Sequence, residues 1–81
     1  MVDAIYGKRL EVDGVVQGGP YSIRLPFSQL AEVRRMLDQH EIKYWVDSFT
    51  VSIDRKPARI SIELGWNNDP VQIQTILDQA E

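Results

Sequence analysis

The sequence predicts an α+β domain, a two-layer α/β sandwich with its elements in the order ββαββα. Two stretches, 27–40 and 70–80, repeat apolar residues at helical spacing. Four other stretches alternate apolar and polar residues, most clearly on both sides of Arg-Lys-Pro within residues 49–66. Each helix would have one apolar stripe and each strand one apolar face. Two helices on one face of a four-stranded sheet would therefore bury every apolar side.

The first two strands are predicted over residues 4–12 and 21–25. Lys8 shares the apolar face of the first strand, which is typical of an edge strand because a charge there discourages aggregation. The segments Asp13-Gly14 and Gly18-Gly19-Pro20 mark the loop between the two strands.

The first helix is predicted from Phe27 to His40, directly after Pro26. Its apolar stripe follows steps of three and four residues and consists of Phe27, Leu30, Val33 and Leu37. The last helix is predicted to begin at Pro70, with Asp69 as its N-cap. Its apolar face consists of Ile73, Ile76, Leu77 and Ala80.

Residues 42–54 allow two interpretations, because their alternation slips near Asp47-Ser48. A bulge at that dipeptide would keep a single strand, since an extra residue turns all later side chains to the other face. A tight Asp-Ser turn would make two strands instead, although such a turn usually contains glycine. The bulge is favoured, and Trp45 would then point away from the helices. Burial of Trp45 in the core is the alternative.

The fourth strand is predicted from Arg59 to Trp66, after a turn at residues 54–57. Trp66 continues the apolar alternation of this strand and is therefore predicted to lie in the core.

These elements predict a single domain over residues 1–81 with a mainly antiparallel sheet in the order 1-2-4-3. The crossover through the first helix leaves the second and third strands parallel, and the fourth strand fits between them, antiparallel to both. The element order resembles a ferredoxin-like α/β plait, permuted so that its last strand comes first. Many unrelated functions use such plaits, so the resemblance implies no function.

The composition disfavours several classes of function. Nine Lys and Arg against twelve Asp and Glu give a net charge of −3, which argues against nucleic acid and anionic membranes as partners. With no cysteine and one histidine, neither a metal site nor a cofactor is expected. No signal-peptide pattern and no membrane-spanning stretch is recognised, so a cytoplasmic protein is expected.

One group of candidate site residues lies on the predicted polar face of the sheet and consists of Arg24, Arg59 and Glu63. Two guanidinium groups could bind a small anionic ligand there. The alternative is a solvated sheet face with a cross-strand Arg–Glu pair.

A second group consists of Tyr44, Trp45 and Asp47, before and at the predicted slip in the third strand. An exposed aromatic side chain on an edge strand often anchors a protein–protein contact. These residues therefore predict a partner-contact surface.

His40 and Glu41, with Asp38 and Asp47 near in sequence, form the only grouping with acid–base character. No activated nucleophile accompanies them. A histidine at the end of a helix has a simpler explanation, because a cation there interacts favourably with the last carbonyl groups.

The leading hypothesis is a small non-catalytic protein-interaction or regulatory module that binds another protein or itself as a homodimer, with both edge strands available. A domain that senses a small anionic ligand on the polar sheet face is the alternative. An enzyme that uses His40 as acid or base ranks third.

Overall fold

The structure, a computed structural model, describes residues 1–51 and 59–80, with side chains described for 1–47 and 59–80. Its strands are β1 (Val12–Asp13), β2 (Tyr21–Pro26), β3 (Trp45–Val51) and β4 (Arg59–Gly65), and its helices are α1 (Leu30–Gln39) and α2 (Pro70–Gln79). The strands form one sheet in the order β1-β2-β4-β3, and all neighbouring strands are antiparallel. The predicted α+β class and the sheet order 1-2-4-3 are confirmed. The predicted turn at 54–57 lies outside the described residues.

Both helices pack on the same face of the sheet. In β4, Ile60, Ile62 and Leu64 are buried, while the residues between them are partly exposed. One hydrophobic cluster joins the inward side chains of the sheet to those of both helices, and it includes Ile23, Leu25, Ile60, Ile62, Leu64, Val33, Leu37, Ile73 and Leu77. Within the described part of the chain, the opposite face of the sheet therefore has no helix.

The first strand is much shorter than the predicted segment 4–12. Residues 1–10 instead form a small hairpin whose two arms are joined by backbone hydrogen bonds. The carboxylate of Asp3 accepts hydrogen bonds from the backbone N–H groups of Ile5 at 2.8 Å and Tyr6 at 3.0 Å. A carboxylate that binds the backbone in this way favours a turn over an extended strand. The prediction of a strand beginning at residue 4 is therefore wrong.

The outer edge of β1 is covered by a side chain from α2. Gln74 accepts a hydrogen bond from the backbone N–H of Val12 at 2.9 Å and donates one to the carbonyl of Leu10 at 3.0 Å. The side-chain amide of Gln74 therefore makes the backbone hydrogen bonds that a further strand would make at this edge. The expectation that both edges of the sheet are open is therefore wrong for β1, and β3 is the other edge.

The first helix begins later than predicted. Pro26 still belongs to β2, where it pairs with Arg59, so the chain needs the 3-10 turn Phe27–Gln29 before α1 can start. Phe27 is 53% exposed as a result, although it was predicted to lie on the buried stripe. Val33 and Leu37, further along that stripe, are fully buried.

The last helix is confirmed from Pro70 to Gln79, and Ala80 is its extended C-cap. Asp69 is its N-cap and accepts hydrogen bonds from the backbone N–H groups of Val71 at 2.9 Å and Gln72 at 3.4 Å. Pro70 occupies the first helical position, where its missing N–H would have no partner within the helix. The predicted apolar face is the one that packs on the sheet, with Ile73, Ile76 and Leu77 buried.

Strand β3 is a single strand with an irregular register between Asp47 and Val51. A single strand is therefore confirmed as far as Val51, against the alternative of two strands joined by a tight turn. From the pair Asp47–Ser61 to the pair Val51–Arg59, β3 has two residues more than β4, whereas the predicted bulge had one extra residue. It begins at Trp45, whereas Ile42 and Tyr44 lie before it and pack partly against the core.

Candidate functional site

The face of the sheet opposite the helices collects polar side chains from every strand. Cross-strand pairing aligns one row as Asp13, Ser22, Glu63 and Trp45. The adjacent row contains Arg24, Ser61 and Asp47, and Arg59 follows on β4. Side chains directly opposite one another on neighbouring strands have their Cβ atoms about 5 Å apart. These eight residues are called the helix-free face below.

Five of the six predicted site residues lie on this one face. Arg24, Arg59 and Glu63 come from the predicted anion site, and Trp45 and Asp47 come from the predicted partner-contact group. The sequence placed them at two separate sites. The pairing of β3 with β4 puts Trp45 in the row of Glu63 and Asp47 in the row of Arg24.

Tyr44 is the exception, because it lies on the helix side of the sheet and packs partly against the core. Its hydroxyl donates a hydrogen bond to Asp38 at 2.9 Å and accepts one from Arg34 at 3.3 Å. Tyr44 thus attaches the start of β3 to α1 and is separated from Trp45 by the thickness of the sheet.

Trp45 is 59% exposed, so the alternative of core burial is wrong. Its ring lies beside Gly65, where a β-carbon would be 3.5 Å from Cη2 of the indole. That distance is an ordinary van der Waals contact, so the ring of Trp45 lies along the surface of β4 beside Gly65.

Trp66 is 65% exposed, whereas the alternation predicted it in the core. The correction has a backbone cause. Gly65 has a φ of +70°, a conformation that other residues rarely adopt, and it ends β4, so the strand alternation stops before Trp66. The indole of Trp66 lies against Gly19 instead, 3.0 Å from the position of an added β-carbon.

Arg59 is held by contacts within the protein. Its Nη2 lies 2.9 Å from Oδ2 of Asp3, and its guanidinium carbon lies 5.0 Å from the ring centroid of Tyr6. Its Nη1 is buried and has no hydrogen-bond partner among the described residues. Arg59 therefore fastens the N-terminal hairpin to β4.

The pKa of Asp3 is set by opposing effects. Burial raises the pKa of this carboxyl, but hydrogen bonds from the backbone of Tyr6 and Ile5 and from Arg59, with the positive charge of Arg59, lower it by more. The pKa of Asp3 therefore lies below its ordinary value, and the group is a carboxylate at neutral pH.

Arg24 and Arg59 line one hollow of about 280 Å³ between the N-terminal hairpin and the sheet. Besides Lys8 and Arg9, the lining includes three carboxylates, namely Asp3, Glu11 and Asp13. Glu63 does not line this hollow and accepts a hydrogen bond from Ser61 at 2.9 Å. The predicted cross-strand Arg–Glu pair is not formed within the described residues.

His40 is the C-cap of α1 and is exposed. Of its predicted companions, Asp38 binds the hydroxyl of Tyr44, and Asp47 lies on the helix-free face, across the sheet from α1. The acid–base grouping suggested by the sequence therefore does not include Asp47.

Residues 1–51 and 59–80 contain no group of three or more His, Asp or Glu side chains placed to hold a metal ion. In the same part of the chain, no helix has the length and apolar character needed to cross a membrane.

Comparison with known proteins gives no further guide, because the chain matches no protein-family model, no curated protein and no solved structure. Any functional conclusion therefore depends on the geometry of the helix-free face and the edges of the sheet.

Proposed function

We propose that this chain is a small non-catalytic protein-interaction module that docks its partner through β3 and the adjoining helix-free face. The observation that carries the proposal is the exposure of Trp45 on β3, the sheet edge opposite the one that Gln74 covers. A regulatory role through such binding is part of the proposal.

An edge strand offers backbone N–H and C=O groups to an extended segment of a partner, which can add to the sheet as a further strand. Proteins commonly prevent such pairing with lysine, proline or a covering element. The β3 sequence, Trp-Val-Asp-Ser-Phe-Thr-Val, has neither lysine nor proline. The irregular register after Asp47 limits a regular ladder to part of the strand.

The indole of Trp45 adds contact area next to this edge. Large aromatic side chains supply much of the binding energy at protein interfaces, because they bury extensive apolar surface when a partner covers them. An interface that includes both β3 and Trp45 would therefore combine backbone pairing with a side-chain anchor.

Two finer features belong to the same proposal. The two helices packed on one face of a four-stranded sheet support a permuted ferredoxin-like plait as the fold. The cytoplasm is the compartment that we propose, in keeping with a composition without cysteine.

A photo-crosslinking residue at position 45 tests the docking surface in cells of the source organism. We expect one defined protein adduct, either with another protein or with a second copy of this chain. The matched control is the same crosslinker at position 71, because Val71 is 70% exposed but lies on α2.

The crosslinking result has a clear contrary outcome. If position 45 gives no adduct, or the same adducts as position 71, and sedimentation shows a monomer at all concentrations, β3 is not a docking surface. A dimer in sedimentation that is weakened by Trp45→Ala and not by Val71→Ala identifies the partner as a second copy.

A small-anion sensor is the second candidate, and the observation that favours it is the shared hollow of Lys8, Arg24 and Arg59. Arg24 forms no hydrogen bond or ion pair within the described residues. If the hollow binds anions, millimolar phosphate or citrate should raise the Tm, and Arg24→Gln should abolish the increase. Equal Tm values with these anions and with chloride at matched ionic strength would exclude this function.

A further inference from the structure

We propose that the helix-free face recognises a basic protein segment, with a lysine or arginine of the partner seated over Trp45 and beside Glu63. This inference rests on the proposed interaction function and specifies the chemistry of the partner. Asp13, at the far end of the same row, would receive a second basic side chain of that segment.

The register places an aromatic residue and an acidic residue in directly paired positions on β3 and β4. Trp45 and Glu63 are direct partners across β3 and β4, so their Cβ atoms are about 5 Å apart. The ring of Trp45 extends toward Gly65, whereas the carboxylate of Glu63 extends toward Ser61, so a cation that contacts both would sit between them above the paired positions. A cation in this position could interact with the ring of Trp45 and with the carboxylate of Glu63 together.

The charges on the face complement such a cation. Neither Glu63 nor Asp13 forms an ion pair within the described residues, and the hydrogen-bond donor on Glu63 is the uncharged hydroxyl of Ser61. Of the two cations on the face, Arg59 is paired with Asp3. Arg24 lies in the adjacent row, opposite Ser61. The row from Asp13 to Trp45 therefore carries two carboxylates and no cation, in a chain with a net charge of −3. Asp13 also borders the hollow that Arg24 and Arg59 line, whereas Glu63 does not.

The length of the row also matches that of a short extended peptide. It crosses all four strands, which at ~4.8 Å per neighbouring pair gives about 14 Å between Asp13 and Trp45. Four residues of an extended chain span a similar distance. Basic residues separated by about three positions could therefore reach both ends of the row.

A second copy of the chain is a poorer occupant of this face. A two-fold contact places the same patch on both sides, so a second copy would bring its own Glu63 and Asp13 to the interface, and Arg24 is the cation of this face that is unpaired within the described residues. Like charges across an interface oppose binding, whereas a basic segment complements both residues.

The experiment is an NMR titration of the ¹⁵N-labelled protein with an acetylated, amidated hexa-arginine peptide at low salt. We expect the largest shifts at the indole N–H of Trp45 and at the backbone amides of Glu63 and Asp13. A hexaglutamate peptide serves as the charge-reversed control and should leave these signals unchanged. Added salt should weaken the binding, because the exposed charges are then screened.

Two variants separate the proposed contacts from general attraction between opposite charges. Glu63→Gln keeps the size of the side chain and should weaken hexa-arginine binding about two- to fivefold, and Trp45→Leu should do the same. Trp66→Leu is the matched control, because Trp66 is about as exposed as Trp45 but follows the end of β4. This variant should bind hexa-arginine with the affinity of the wild type. The spectrum of each variant shows whether it is folded.

Equal affinity of wild type and Glu63→Gln, or shifts centred away from this row, would overturn the inference. The inference would also be overturned if the signals of Trp45, Glu63 and Asp13 shifted when the protein was concentrated without peptide. A second copy of the chain would then occupy the face. A defined adduct from position 45 together with no hexa-arginine binding would leave the interaction function standing and reject the basic partner. Failure of both experiments would reject both proposals.

Discussion

Gly14→Ala is expected to lower the free energy of unfolding by about 3 kcal/mol or more. Gly14 directly follows β1 and has a φ of +91°, which an L side chain rarely adopts. An added β-carbon would also overlap the carbonyl oxygen of Pro20, a backbone atom that cannot rotate away. Alanine would therefore force the start of β2 away from the end of β1.

The effect should extend beyond the loop, because this loop sets the pairing of the first two strands. The N–H of Gly19 donates a hydrogen bond to the carbonyl of Gly14 at 2.9 Å, and Asp13 pairs with Ser22. A displaced Pro20 would disturb both. Urea denaturation followed by circular dichroism measures the loss of unfolding free energy, which lowers the urea concentration at which half of the protein is unfolded.

Gly18→Ala is the matched control in the same loop. Gly18 also has a positive φ, +77°, but a β-carbon added there would meet no atom within 4 Å. Its substitution should therefore cost only about 1 kcal/mol, for the backbone conformation alone. Equal destabilisation by the two substitutions would show that the contact with Pro20 is unimportant.

The spacing of apolar residues correctly predicted which sides of α2 and β4 are buried. The apolar stripe of α2 and the alternation of β4 are buried as expected, because each pattern has to match a single continuous core. The N-cap at Asp69 was also predictable, since a capping side chain acts on the next two or three residues.

The errors arose where a local backbone feature interrupted the pattern. Asp3 binds the backbone two and three residues ahead and turns the chain, although the following residues alternate like a strand. Gly65 ends β4 one residue before the pattern does and exposes Trp66. Neither effect changes the periodicity of the sequence, so periodicity could not reveal them.

The sequence predicted most residues of the candidate site but not that they lie next to one another. Trp45 and Glu63 are eighteen positions apart, and only the register of β3 against β4 makes them neighbours. Asp13 was interpreted solely as a turn residue, although its pairing with Ser22 places it on the same face. Register across an irregular strand depends on the number of extra residues, and the sequence indicated one where β3 has two more than β4.

Asp3→Ala is the second substitution with a large expected effect, a loss of about 3 kcal/mol in the free energy of unfolding. The side chain of Asp3 is only 6% exposed and makes an ion pair with Arg59. Alanine would remove that ion pair and leave the N–H groups of Ile5 and Tyr6 without their acceptor. The guanidinium of Arg59, already without a partner at Nη1, would lose its carboxylate as well.

Asp3→Asn divides this loss between its two causes. Asparagine keeps an oxygen that can accept from Ile5 and Tyr6, so only the charge opposite Arg59 disappears, and we expect about half the effect of alanine. Asp78→Ala is the control for ion pairs in general. Asp78 binds Arg9 through two hydrogen bonds of 2.8 and 2.7 Å, but both side chains are largely exposed and the loss should be much smaller. Equal losses of unfolding free energy in Asp3→Ala and Asp78→Ala would show that the burial of Asp3 does not strengthen its ion pair with Arg59.

The pH dependence of stability gives an independent test of the same pair. Because the pKa of Asp3 is lowered in the folded protein, the unfolded chain binds the proton first as the pH falls. The stabilisation from Asp3 is therefore complete above the ordinary pKa of aspartate and is lost as the pH falls through the lower, folded value. Asp3→Asn should reduce this slope of unfolding free energy against pH. Part of the slope should persist, because the hydrogen bond from Arg9 also lowers the pKa of Asp78. An unchanged slope in Asp3→Asn would show that the Asp3–Arg59 pair does not hold the N-terminal hairpin on the sheet.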